Sequence, residues 1–281
     1  MPVAQKTPVL FPPSPEETRR LTPEQVREQF LIDGLFIPGE LRVQFTSLDR
    51  LAVGGAVPLA TALELPKLKE TGSDFFLARR ELGVLNIGGP GKIEVDGTVY
   101  TLGERDCLYA GRGSKTVRFS SDDAANPARF AIFSAPAHKE FPTAVVREAE
   151  IEPVRLGEQK TANVRTIRKC IFANGIRSCQ LVMGFTTLEE GSVWNTFPPH
   201  THNRRSEIYV YFDMPGRAVA HFLGEPQHTR HVFICEGEAV LSPPWSVHCG
   251  CGTGAYRFIW AMAGENLIYD DMDPAPVAEL R

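Results

Sequence analysis

The amino-acid sequence predicts an all-β fold of two tandem β-barrel or jelly-roll domains, with a short N-terminal helical segment. Three observations lead to this prediction: many short strands, one strong hairpin signal and an internal repeat. The predicted strands are separated by glycine and proline, a pattern typical of sandwiches and barrels. The main predicted strands span residues 41–45, 84–87, 208–212, 218–223, 231–235 and 256–262.

The hairpin signal lies in residues 93–100, where apolar residues flank Asp96-Gly97. This dipeptide readily adopts the positive φ angles of a tight hairpin turn. The helical signal lies near the start of the chain. Thr22 and Gln25 form a capping-box pattern around Pro23, and Asp33-Gly34 is expected to end the helix.

The repeat relates the two halves of the chain. Arg79-Arg80 and Pro90-Gly91 recur 125 residues later, as Arg204-Arg205 and Pro215-Gly216. A duplicated β domain explains this spacing. We place the boundary within the charged segment 147–160.

This boundary divides the chain into an N-terminal domain, residues 1–150, and a C-terminal domain, residues 151–281. We expect the C-terminal domain alone to bind metal, for the reasons given below.

Bulk composition excludes several classes of function. The 281 residues are 43% hydrophobic and 23% charged, with a net charge of −4 and a pI near 6.0. The chain has no excess of basic residues, so its charge does not indicate nucleic acid or a membrane as a partner. The N-terminus lacks a signal core, and six dispersed cysteines fit reduced thiols. We therefore expect a cytoplasmic protein.

A candidate metal site is present in the C-terminal half. His200 and His202 form a His-x-His pair, which on an extended chain points both imidazoles to one face. Glu207 can join them only if the chain turns at residues 203–206. His248 then arrives from a distant strand. Three imidazoles and a carboxylate suit a divalent transition metal.

The other histidines and the cysteines near His248 are not expected to bind the metal. We interpret His138, His221, His228 and His231 as surface or capped core residues. Cys249 and Cys251 closely follow His248, but four ligands already complete the site.

The repeat provides an internal comparison. The positions equivalent to His200, His202 and Glu207 in the first half are Phe75, Leu77 and Leu82. We therefore expect a first domain filled by apolar side chains and without a metal.

These motifs resemble those of the cupin superfamily. His200, His202 and Glu207 match its first motif, and Pro243 and His248 match its second. Trp245 replaces the usual glycine, and Gly252 replaces the usual asparagine.

A closer resemblance is to the 5-dehydro-4-deoxy-D-glucuronate isomerase family, the ketol-isomerases of bacterial pectin breakdown. It covers the chain from about Gln29 onward. Asn203 departs from the acidic residue expected there, at a position that should face outward. The resemblance rests on segment 200–212 and on Arg79-Arg80-Glu81-Leu82-Gly83, Trp194-Asn195-Thr196, Thr229-Arg230-His231, Trp260, Gly264-Glu265-Asn266 and Asp270-Asp271-Met272-Asp273.

This resemblance implies a zinc-dependent bicupin that acts on a small anionic keto-uronate, and a homo-oligomer, specifically a hexamer. The reaction would interconvert 5-dehydro-4-deoxy-D-glucuronate and 3-deoxy-D-glycero-2,5-hexodiulosonate. Two alternatives stay open: an iron-dependent cupin dioxygenase, and a non-catalytic sugar-binding bicupin.

Catalytic and substrate-binding residues are less well defined by the sequence. Tyr209 and Tyr211 share the parity of Glu207 on one predicted strand, so they are candidates for proton transfer or sugar packing. Arg204, Arg205 and Arg230 are candidates for binding the substrate carboxylate.

Overall fold

A computed structural model describes residues 9–281. Residues 1–8, which carry part of the N-terminal segment judged to lack a signal core, lie outside this range. Two α-helices occur near the start, α1 (Pro15–Thr18) and α2 (Pro23–Phe30). Short 3₁₀ helices span Lys69–Thr71, Phe76–Ala78, Glu148–Glu150, Gln159–Thr161 and Val277–Glu279.

Most of the remaining regular structure is β, which confirms the predicted mostly-β architecture. The strands are β1 (Val9–Leu10), β2 (Leu31–Ile32), β3 (Leu41–Thr46), β4 (Ala52–Ala56), β5 (Leu63–Glu64), β6 (Arg80–Asn86), β7 (Gly91–Val95), β8 (Thr98–Leu102), β9 (Cys107–Ala110), β10 (Val117–Ser121), β11 (Phe130–Pro136), β12 (Ala144–Val146), β13 (Pro153–Leu156), β14 (Arg165–Ile171), β15 (Val182–Leu188), β16 (Trp194–Asn195), β17 (His200–Thr201), β18 (Arg205–Phe212), β19 (Val219–Glu225), β20 (His228–Ile234), β21 (Ala239–Ser242), β22 (Cys249–Gly252), β23 (Arg257–Gly264) and β24 (Asp273–Pro274).

The chain forms two compact units, and each is built from more than one stretch of the sequence. Among the described residues, the first contains 9–10, 34–152 and 169–183, and the second contains 11–33, 153–168 and 184–281. Each unit is therefore discontinuous along the sequence.

In the first unit, a seven-stranded sheet has the order β1-β3-β4-β11-β6-β9-β12, and a four-stranded sheet has the order β5-β10-β7-β8. Side chains from both sheets meet in one buried core. Phe130 and Ile132 come from the larger sheet, and Ile93 and Phe119 come from the smaller one. The two sheets thus form a sandwich around an apolar interior.

In the second unit, the larger sheet has the order β13-β14-β15-β23-β18-β21-β2, and the smaller one has the order β16-β22-β19-β20. A separate pair joins β17 to β24. In the large sheets, the run β4-β11-β6-β9 of the first unit has the same connectivity as the run β15-β23-β18-β21 of the second. The smaller sheets, β5-β10-β7-β8 and β16-β22-β19-β20, also match each other. The sheets are open rather than closed into barrels, so barrel closure is not observed.

Local signals near the start and in the hairpin can be compared directly with the structure. The capping box at Thr22 and Gln25 is present and confirms that prediction. The helix ends earlier than expected, at Phe30, because Leu31 and Ile32 pair with β21 as a buried strand.

The hairpin β7–β8 is also confirmed. Asp96 and Gly97 both have positive φ, 48° and 84°, as the tight turn requires.

Two further expectations, on membrane partners and on reduced thiols, can be compared with the described residues. Within residues 9–281, no helix is long and apolar enough to cross a bilayer. All six cysteines are free thiols in the described structure.

Candidate metal centre

Three segments of the second unit bring the candidate ligands together. His200 begins β17, which pairs with β24. The chain then turns, with the Arg205 amide donating to the His202 carbonyl at 3.0 Å, and Glu207 follows on β18. His248 lies just before β22. The turn that Glu207 requires therefore occurs, one residue earlier than expected.

The ligand atoms converge closely. Nε2 of His200 lies 3.1 Å from Nε2 of His248. Oε2 of Glu207 lies 3.0 Å from Nε2 of His202 and 3.0 Å from Nε2 of His248. Donor atoms of the three histidines all lie within 4.8 Å of one another. Ligands about 2.1 Å from a tetrahedral ion stand roughly 3.4 Å apart, so the spacing suits one metal ion.

Hydrogen bonds at the far side of two rings set their orientation. Nδ1 of His202 donates to the Arg205 carbonyl at 2.9 Å. Nδ1 of His248 lies 3.1 Å from Oγ of Ser242, the residue that pairs with Glu207 across β18 and β21. Bonds of this kind leave the Nε2 lone pair free for a metal.

Electrostatics support a cation at this point. Burial, followed by the neighbouring His202, lowers the pKa of His200 to about 3. Burial also lowers the pKa of His248 well below its usual value. Burial likewise lowers the pKa of His202, but the hydrogen bond and charge of Glu207 raise it above the usual value. Unprotonated Nε2 atoms that face each other repel unless a cation lies between them, so these residues fit a divalent metal.

A cavity of about 260 Å³ opens onto the ligands. It follows the inner face of the large sheet, from β13 and β14 across β15 and β23 to β18. Its walls are partly aromatic and partly polar, as in small-molecule sites. They include His200, Glu207, Tyr209, Arg165, Thr186, Thr196, Trp260, Tyr269 and Asp270.

The two candidate tyrosines have different surroundings. Tyr209 lines the cavity, and its hydroxyl lies 3.0 Å from Oγ1 of Thr196. Tyr211 is fully buried beyond the cavity, with its hydroxyl 2.8 Å from Nδ1 of His221. The Asn195 amide donates to the same hydroxyl at 3.3 Å.

The three candidate arginines lie outside the cavity lining. Arg204 forms ion pairs with Asp271 at 2.6 Å and Asp273 at 3.0 Å. Arg205 is buried and donates to the backbone carbonyl of Asp271 at 2.8 Å. Arg230 donates to the carbonyl of Leu21. Each guanidinium is thus bonded to the protein itself.

Arg165, Tyr269 and Asp270 also line the cavity, and no pattern in the sequence indicates that they do. Arg165 lines the cavity from β14, together with Ile167 two residues later. The period of two along a strand places them on one face. No motif marks Arg165, because the signal is the position of β14 in the sheet rather than a local pattern.

The other histidines agree with their sequence interpretation. His138, His228 and His231 are exposed. His221 is buried and bonded to Tyr211, while its Nε2 has no hydrogen-bond partner within residues 9–281.

The first unit has apolar residues at the repeat-related positions. Leu77 and Leu82 are buried in its core, whereas Phe75 is partly buried.

Comparison with known proteins identifies the family. The profile of the KduI/IolB family matches residues 41–277. The chain belongs to the KduI/IolB family. A 4-deoxy-L-threo-5-hexosulose-uronate ketol-isomerase from Opitutus terrae is 52% identical over 273 residues, covering 96% of this chain and 98% of that protein. A protein of the same name from Formosa agariphila is 50% identical over 269 residues, covering 95% and 96%. The chain is an enzyme of this ketol-isomerase class.

Solved structures support the fold of this family member. An IolB-like protein from Salmonella typhimurium LT2 has a TM-score of 0.66 at 14% identity, over 78% of this chain and 85% of that one. Bacillus subtilis oxalate decarboxylase, described with Mn(II) centres, has a TM-score of 0.57 at 12% identity, over 85% and 76%. At these identities the likeness concerns the fold, which is cupin-like.

Proposed function

We propose that this enzyme interconverts 5-dehydro-4-deoxy-D-glucuronate and 3-deoxy-D-glycero-2,5-hexodiulosonate, in bacterial uronate and pectin breakdown. One Zn²⁺ ion would be held by His200, His202, Glu207 and His248. The single observation that carries this proposal is the convergence of three buried imidazoles and a carboxylate on one small cavity. The names of the curated relatives point to a 4-deoxy keto-uronate as well.

The reaction converts an aldose into a ketose by moving a hydrogen from C2 to C1 and the hydroxyl proton from O2 to O1. A bound divalent metal supplies Lewis-acid stabilisation of the negative charge that develops on oxygen. Glu207 offers carboxylate charge at the metal position. With two carboxylate oxygens, Glu207 would be able to loosen its hold on the metal when the substrate binds.

Tyr209 is suited to donate a hydrogen bond or a proton to a substrate oxygen. Burial raises the pKa of its phenol well above the usual value, so the hydroxyl stays protonated and can donate. Thr196 holds that hydroxyl at the cavity wall. The ring of Tyr211 lies beside that of Tyr209, with centroids 6.1 Å apart, and its own hydroxyl is bonded to His221 and Asn195.

We further propose a bicupin organisation, in which each unit is one cupin domain and only the second binds metal. The matching strand order supports this proposal. A cytoplasmic location is supported by the free thiols of residues 9–281. A homohexamer is expected from the family resemblance. Exposed Phe11, Phe233 and Ile268 supply apolar surface for such an assembly.

The decisive experiment follows conversion of 5-dehydro-4-deoxy-D-glucuronate by NMR, after chelation and after return of Zn²⁺. We expect conversion that stops on chelation and resumes with the metal, at constant dissolved oxygen. Oxygen uptake coupled to turnover would instead indicate the iron dioxygenase. Absence of conversion by a fully metal-loaded sample would contradict the isomerase proposal.

A further inference from the structure

The cavity has a cationic side chain that the metal centre does not use. Arg165 lines it from the first residue of β14 and is half-buried. One terminal nitrogen, Nη1, donates to the Asn163 carbonyl at 3.0 Å. Across residues 9–281, no carboxylate forms an ion pair with this guanidinium, and its Nε and Nη2 donate no hydrogen bond.

This arginine differs from Arg155 and Arg204, two other arginines of the second unit. Arg204 is neutralised by Asp271 and Asp273, and Arg155 is neutralised by Glu189. A cation withdrawn from water without a counter-charge is costly. Burial lowers the pKa of Arg165 for that reason, although a guanidinium stays charged at neutral pH. The site therefore favours an anion that arrives from solution.

The position of Arg165 is complementary to the metal ligands. In the large sheet, β14 and β18 are separated by β15 and β23. Neighbouring strands lie about 4.8 Å apart, so the two backbones are roughly 14 Å apart across the cavity. Arg165 lines the same cavity as His200 and Glu207, so its side chain and these two candidate ligands face one space.

A six-carbon acid has two chemically different ends that match this arrangement. Five C–C bonds of about 1.5 Å carry C1 roughly 6 Å from C6 in an extended chain. The C1 and C2 oxygens suit the metal centre, and the C6 carboxylate suits a guanidinium, which binds it with two parallel hydrogen bonds. Neutral sugars lack the second contact.

We propose that Arg165 binds the substrate carboxylate through Nε and Nη2, and so fixes which end of the substrate meets the metal. This inference rests on the proposed function. It makes Arg165 the residue that selects a uronate over a neutral sugar.

The test compares Arg165→Met and Arg165→Lys with Arg155→Met, a matched control on β13. Arg155 pairs with Thr166 in register but lies outside the cavity lining. For Arg165→Met we expect KM to rise about 10- to 100-fold, as loss of charged hydrogen bonds implies, with a smaller change in kcat. Bound zinc, measured by elemental analysis, should be unchanged. Arg165→Lys should show an intermediate KM, and Arg155→Met should match the wild type.

A second readout does not depend on turnover. Calorimetric binding of D-glucuronate, compared with D-glucose, should show the preference for the acid in the wild type and its loss in Arg165→Met. Added guanidinium ion should lower the KM of that variant. An unchanged KM and unchanged preference for the acid in Arg165→Met would overturn the inference while leaving the isomerase proposal intact. If the wild type does not isomerise the keto-uronate, the proposed function fails, and the binding comparison alone still decides the role of Arg165.

Discussion

His202 donates its Nδ1 proton to the backbone carbonyl of Arg205 at 2.9 Å, and this bond turns Nε2 toward Glu207. The acceptor belongs to the main chain of the turn that leads into β18. The same turn therefore positions two candidate ligands, one directly and one through the strand that follows.

Removal of single ligands should abolish metal binding without unfolding the chain. We expect His202→Ala and His248→Ala each to lower metal affinity and activity by more than about 100-fold, beyond the effect of outer hydrogen-bond partners. Elemental analysis and the isomerase assay measure these losses, with circular dichroism to confirm folding. The matched control is His231→Ala, which removes an exposed imidazole. Full zinc content in His248→Ala would contradict the ligand assignment.

Two adjacent tyrosines provide a paired test of proton transfer. Tyr209→Phe removes the hydroxyl that faces the cavity, and we expect kcat to fall about 100-fold, as for loss of a general acid. Tyr211→Phe removes a hydroxyl bonded to His221 and Asn195, so it should lower stability and change kcat little. Steady-state kinetics and thermal unfolding separate the two effects. Equal kcat losses in both variants would argue against a special role for Tyr209.

The ion pairs of Arg204 predict a specific dependence of stability on pH. Hydrogen bonds from Arg204, then from Asn266, lower the pKa of Asp271 from 3.8 to about 2. Because the folded pKa is depressed, the contribution is present above pH 3.8 and is lost as the pH falls toward 2.

The stability difference between wild type and Arg204→Met should therefore be constant from pH 7 to pH 5 and should shrink below about pH 4. Urea unfolding across this range measures it. Lys69→Met removes an exposed charge with no ion pair among the described residues, and should show no such trend. A difference that grows in acid would contradict the assignment.

The first unit should respond to mutation as a packed core. Leu82 is fully buried in it, so Leu82→Ala should cost about 2–5 kcal/mol of unfolding free energy. Zinc per chain should stay at one ion, because no candidate ligand is touched. Chemical denaturation and elemental analysis give the two numbers. A stability change below about 0.5 kcal/mol would show that this position does not fill the interior.

Local patterns in the sequence predicted local structure well. Asp96-Gly97 identified its hairpin because the turn chemistry is contained in two residues. Thr22 and Gln25 identified the start of α2 for the same reason. The end of α2 was wrong by a few residues, since pairing of Leu31 and Ile32 with β21 depends on residues some 200 positions away.

The candidate site shows the same difference between local patterns and contacts between distant residues. Spacing and chemistry in one short segment brought His200, His202 and Glu207 together, and the turn between them is present. Asn203, expected to face outward, is exposed. Arg165 could not be found this way, because its place in the cavity depends on the order of four strands. Arg204 and Arg205 were attractive by proximity in sequence, yet their partners lie in residues 269–273.

The two units share one strand order, yet one encloses a filled apolar interior and the other an interior with a polar cavity. An interior that is dry and filled tolerates many exchanges among apolar residues of similar volume. An interior with a polar hollow tolerates few, because each buried donor or acceptor depends on its partner. A saturation mutagenesis map should therefore be lopsided. Substitutions around Leu77 and Leu82 would be graded by size, whereas those around Glu207 and His248 would be nearly all-or-none.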